Sequence, residues 1–151
     1  MEILNRTAIP IEPKLFQAAA GYPADGLVVE VKYCPKGASW PASGTYYRRT
    51  PSRPDGRLIR LRINRRNRYP VKMLFKLSSY FRRRNARGEE TVYQRMKRVD
   101  LPTPEDLLTA LFLHEFSHYL DHIAGRNGRY KQTKADTFTL QRMKELGMRV
   151  G

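Results

Sequence analysis

Leu107-Leu-Thr-Ala-Leu-Phe-Leu113-His114-Glu115-Phe116-Ser117-His118-Tyr-Leu-Asp-His122-Ile-Ala124 decides how this 151-residue chain is read. Residues 107–113 are apolar nearly all round, which marks a helix buried in a core. All three histidines of the chain fall in the nine residues that follow. His114 and His118 are spaced i and i+4, so on a helix they share one face, one turn apart. Two imidazole nitrogens can then converge on one zinc ion at roughly 2.0–2.1 Å. Glu115 would sit beside such an ion rather than on it, where a carboxylate can take and return a proton. The bland alternative is a core helix whose histidines bond to backbone. It leaves two imidazoles and a carboxylate in an apolar setting with little to satisfy them.

The boundaries of that helix are written in the sequence. Thr103-Pro104-Glu105-Asp106 combines an N-cap, a proline at the first helical position and acids in the first turn. Gly125 is a natural stop. The prediction is a helix of about twenty residues with the histidines in its second half.

A catalytic zinc ion usually takes three protein ligands and leaves a fourth position for water. His122 lies eight residues beyond His114, about 12 Å along the axis at ~1.5 Å per residue, too far to share one ion. Asp136 is the better candidate. After the polar turn Arg126-Asn127-Gly128-Arg129, a second helix is expected over 133–146, with Asp136, Leu140 and Met143 on one inward face. A carboxylate there needs a partner. The competing account is local: Thr133-Lys134-Ala135-Asp136 resembles a capping box. Cys34, far upstream beside Pro35, is a further thiolate candidate. To hold an oxyanion, Tyr130, Arg129 and Tyr119 are the candidates, with Tyr130 carried as the stabiliser. Asp121 could orient a histidine.

With these residues named, the segment 103–146 resembles the HExxH zinc metallopeptidases, or zincins. The layout is similar to the gluzincin type, in which an acid from the next helix completes the site. That resemblance implies zinc on His114, His118 and Asp136, Glu115 as general base, and metalloendopeptidase activity on a protein or peptide substrate. Asp in place of Glu at 136 departs from the pattern. The metzincin continuation is absent, because position 121 is Asp and position 124 is Ala. A weaker likeness is to the SprT-like group, small basic zincins acting on DNA-bound proteins; the third downstream histidine of that group is missing here.

Charge points to a second property. The net charge is +15, and residues 31–88 hold seventeen Lys and Arg against one acid, Asp55. Arginine outnumbers lysine twenty to nine, and its fork suits phosphate. Arg60, Arg62, Arg65, Arg66, Arg68, Arg82, Arg83 and Arg84 are the candidate nucleic-acid contacts. An acidic partner protein or a merely solvated cationic face would use the same residues. Two rival functions follow, a nucleic-acid-binding module with a structural zinc site and a metal-dependent nuclease. Glu115 discriminates, since a structural site does not need it.

The expected fold is α+β: one domain over 1–151, with a small antiparallel or mixed sheet packed on the buried helix and a second helix behind it. The basic, β-rich part spans about 26–88 and the site helices about 103–146. Strands are read at 26–33, 45–50 and 57–63, with a loop at 35–44 and a turn at Pro54-Asp55-Gly56. In Arg57–Ile63, Ile59, Leu61 and Ile63 face in while Arg60 and Arg62 face out. If that strand is the sheet edge, a substrate strand would pair with it. Residues 71–82 and 90–99 fit helix or strand, and a helix near 12–20 is expected. No apolar run approaches the ~20 residues of a membrane span, and no signal-peptide pattern opens the chain. One cysteine permits no internal disulfide, in keeping with a reducing, cytoplasmic setting.

Overall fold

Alternating Val, Ile and Leu in two short segments builds the centre of a sheet, and the long apolar helix closes over it. The computed structural model describes residues 1–51, 57–126 and 131–151. Strands β1 (Glu2–Asn5), β2 (Val28–Tyr33), β3 (Ala42–Tyr47) and β4 (Leu58–Ile63) form one sheet in the order β1-β2-β4-β3. β1 and β4 run parallel to β2, and β3 is antiparallel to β4. Helix α1 (Leu15–Ala20) joins β1 to β2. Parallel neighbours need such a crossover, because a tight turn reverses the chain. The architecture is α+β with a small mixed sheet.

The inward residues of β4 are as expected: Ile59, Leu61 and Ile63 are fully buried. Its position decides against the edge alternative. β4 lies between β2 and β3, so the strand at the free edge beside the long helix is β3. Arg60 and Arg62 therefore do not line an edge. β3 begins at Ala42, within the segment read as loop, because its register is set across the sheet by pairing from Ala42↔Ile63 to Tyr47↔Leu58. β1 was not anticipated. The turn read at Pro54-Asp55-Gly56 lies outside the described residues.

Helix α2 (Pro104–Ile123) is the core element, with twelve of its twenty residues buried. Thr103 caps it, accepting from the Asp106 N–H, and Pro104 opens the first turn. Phe16 of α1 meets Phe112 at 5.0 Å between ring centroids, and Phe112, Phe116 and Tyr119 stack down the helix. Helix α3 (Gln132–Glu145) packs on α2. Its N-cap is Lys131 and carries no side-chain cap, so the box read at Thr133–Asp136 does not form.

The two ambiguous segments are strands. β5 (Val71–Arg84) and β6 (Glu90–Leu101) pair antiparallel into a separate two-stranded sheet. Only its root is buried, through Val71, Phe75, Val99 and Leu101. Local propensity does not separate helix from strand here; the long-range pairing of β5 with β6 does. The charge boundary drawn at residue 88 falls inside this hairpin, and its basic character continues through Arg95, Lys97 and Arg98.

Candidate functional site

The second half of α2 passes beneath the edge strand β3, and this crossing makes the site. Glu115 is buried at 9% exposure. A Cβ on Gly44 of β3 would lie 3.0 Å from its Cγ and 3.2 Å from Oε1. Glycine inside a strand commonly marks such a close approach, and here it makes room for the carboxyl. Burial pushes the Glu115 pKa up, against the pull of His114 and of the Tyr46 backbone N–H that the carboxyl accepts.

His114 and His118 lie side by side, their rings 5.1 Å apart and edge-on. Each nitrogen of His114 has a partner. Nδ1 faces Asp136 Oδ1 at 2.8 Å, and Nε2 faces Gln132 Oε1 at 2.5 Å. Burial disfavours the imidazolium, but the Asp136 bond, the charges of Glu115 and Asp136, and Gln132 outweigh it, so the His114 pKa is raised. The second Asp136 oxygen accepts the backbone N–H of Lys76 on β5 at 2.8 Å. The inward carboxylate on α3 thus finds its partner in His114. With both oxygens committed, it stands behind the ring as an orienting group, the arrangement common for metal-bound histidines.

His114 and His118 are residue types that bind zinc, but both nitrogens of His114 are engaged, by Asp136 and Gln132. Among the described residues, no three His, Cys, Asp or Glu side chains group closely enough to hold a metal ion. The polar atom at His114 Nε2 is instead the amide oxygen of Gln132. Cys34 belongs to no such group. Burial pushes its thiol up, against Arg62 and Trp40.

Tyr46 was missed by the sequence reading. Its hydroxyl meets His122 Nδ1 at 2.5 Å and its ring stands edge-on to Tyr119. Burial and Tyr119 push the phenol up to about 12, and burial with Arg48, Arg57 and Arg49 pushes His122 down. Both shifts favour a neutral phenol facing a neutral imidazole. Tyr119 is buried in the core at 2% exposure; Arg129 and Tyr130 lie outside the described residues. Asp121 faces no histidine. It pairs with Arg126 at 2.9 Å and Lys134 at 2.7 Å, tying the end of α2 to α3.

The basic residues separate into groups. Arg60 is half-buried, paired at 2.6 Å with Glu30 on the neighbouring strand, its guanidinium over Tyr47. Glu30 also holds Arg6 at 3.0 Å. Arg62 is half-buried on the same strand. Arg65, over the Tyr33 ring, Arg66 and Arg68 are exposed after β4. Arg82, Arg83 and Arg84 are exposed on the outer part of β5.

No family model, curated protein or solved structure matches the chain. No helix among the described residues is long and apolar enough to cross a membrane.

Proposed function

We propose that this chain is a zinc-dependent metallopeptidase that hydrolyses peptide bonds close to nucleic acid or another polyanion. The observation that carries the reading is Glu115, buried under a glycine of the free edge strand and flanked by two imidazoles one helical turn apart. His114 and His118 would hold the ion, and Asp136 fixes the His114 ring from behind. Zinc, when bound, supplies Lewis acidity toward water and a carbonyl oxygen. Glu115 takes one proton from the attacking water and delivers it to the leaving amine nitrogen as the C–N bond breaks. The edge of β3 offers backbone groups to an extended substrate.

One observation favours a second reading. Both His114 nitrogens already have protein partners, which suits a nucleic-acid-binding module whose histidines are structural. Zinc content of the purified protein, with proteolysis of a disordered substrate measured with and without DNA, separates the two. The peptidase requires near-stoichiometric zinc that falls in His118→Ala, and cleavage that disappears in Glu115→Gln while zinc stays. Metal-free protein, or cleavage unaffected by Glu115→Gln, sinks it.

A further inference from the structure

Beyond Leu77 the β5–β6 hairpin leaves the core. On its outer part, Tyr80, Val92, Tyr93 and Met96 are each 46–59% exposed. Residues 76–98 carry eight Lys and Arg against Glu89 and Glu90. Its tip is pinned locally, with Asn85 Oδ1 accepting the N–H groups of Arg87 and Glu89 and Gly88 at φ +78°. Its root is bonded to the site region: Lys76 to Asp136, and Gln94 to Thr133. The register is irregular between Lys76 and Tyr80, where the ribbon leaves the core.

The two faces of this arm differ. Pairing runs from Tyr80↔Gln94 to Arg84↔Glu90. One face carries Arg82 and Arg84 but also Glu90, which lies 3.7 Å from Arg82. The other carries Phe81 stacked on Tyr93 at 5.5 Å, with the guanidiniums of Arg83 and Arg95 at 5.3 and 5.2 Å from the Phe81 ring. On that second face the one carboxylate, Glu89, sits at the tip and is held by Asn85 Nδ2 at 3.2 Å, while the arginines rest on an aromatic base.

We infer that this hairpin is a duplex-DNA-binding arm, which lays its Phe81–Arg83–Tyr93–Arg95 face in the major groove. The inference deepens the polyanion part of the reading above and does not depend on the metal. A major groove about 12 Å wide admits a two-stranded ribbon, whereas the major groove of A-form RNA is too deep and narrow. Arginine is the commonest specific reader there, through guanine O6 and N7. Restraint of Arg83 and Arg95 against an aromatic ring lowers the entropy lost when they engage. Arg82 and Arg84 point away from the groove floor.

The test is fluorescence anisotropy of the full chain with a labelled 20-base-pair DNA duplex over a salt series. It is run beside single-stranded DNA, an RNA duplex and polyglutamate. Arg83→Ala/Arg95→Ala is expected to weaken duplex binding about tenfold or more. Arg82→Ala/Arg84→Ala and Arg65→Ala/Arg66→Ala should change it less, with thermal midpoints unaltered. Tighter binding to single strands, to duplex RNA or to polyglutamate overturns the inference, as does equal loss from both faces. The metal reading fails separately: metal-free protein that still binds duplex DNA removes the peptidase and keeps the arm. Zinc-loaded, active protein with no duplex affinity does the reverse.

Discussion

The second half of α2 and the outer half of the β5–β6 hairpin carry charged and aromatic groups in opposite surroundings. On α2, Glu115 and Asp121 are buried, the three histidines are half-buried, and each of the two carboxylates has a specific partner. On the hairpin, arginines and aromatics lie in water, and the ribbon is supported mainly by its own pairing. Desolvation governs the first region and screening the second. A change on α2 therefore propagates into stability and proton affinity, while a side-chain change on the arm acts mainly on what the surface can attract.

The largest contrast is expected from chemistry. Glu115→Gln keeps shape and the Tyr46 contact but removes the proposed base, so the proposed peptide hydrolysis should fall roughly 10²–10⁴-fold with an unchanged thermal midpoint. Comparable loss from an arm variant on a DNA-free substrate would break the division between the regions. Packing comes next. Phe112→Ala, fully buried between Phe16 and Phe116, should destabilise by ~3–5 kcal/mol in urea unfolding, whereas Val92→Ala, 57% exposed on the arm, should stay within about 0.5 kcal/mol.

Two glycines sharpen the comparison. Gly44→Ala forces its Cβ to 3.0 Å from Glu115 and should cost ~1–3 kcal/mol, with loss of hydrolysis because Glu115 must move. Gly88→Ala at the arm tip meets nothing within 4 Å; its penalty, about 1–2 kcal/mol, comes from φ +78° alone, and hydrolysis should be untouched. A Gly44→Ala protein with normal activity would show that the carboxyl has room to spare.

The smallest effect is in acid. Burial alone would raise Asp121, but hydrogen bonds from Lys134 and Arg126 and their charges bring its pKa below 3.8. Burial likewise opposes, and Arg60 and Arg6 overcome, a rise at Glu30, held below 4.5. Depressed carboxyls contribute stability that is complete above their ordinary values and lost as pH falls through the depressed ones. Asp121→Asn should flatten the acid limb of a stability profile taken from pH 5 to pH 2. An unchanged limb would mean that the exposed ends of Lys134 and Arg126 are fully screened.

Much of α2 was legible because its signals are local. Thr103, Pro104 and the early acids define its start, and an unbroken apolar run can be satisfied only by burial. The inward set of β4 was equally plain from its alternation. The hairpin was not, since runs such as Val71–Leu77 suit either helix or strand until a partner strand supplies hydrogen bonds. Gly44 carried a usable signal, a glycine within a strand pattern. Gln132 and Tyr46 carried none, as both are common residues whose importance arises from what lies across from them.

The helix that bears His114, Glu115 and His118, the inward residues of β4 and the concentration of positive charge are all legible along the chain. These depend on periodicity, capping and composition, which are properties of neighbours along the chain. Only the tertiary structure decided that β3 is the edge strand over Glu115, that Asp136 faces His114 and Lys76, and that the basic segment becomes a projecting ribbon. Each of these joins residues dozens of positions apart. Such contacts follow from which surfaces can be buried together, and no local pattern encodes them.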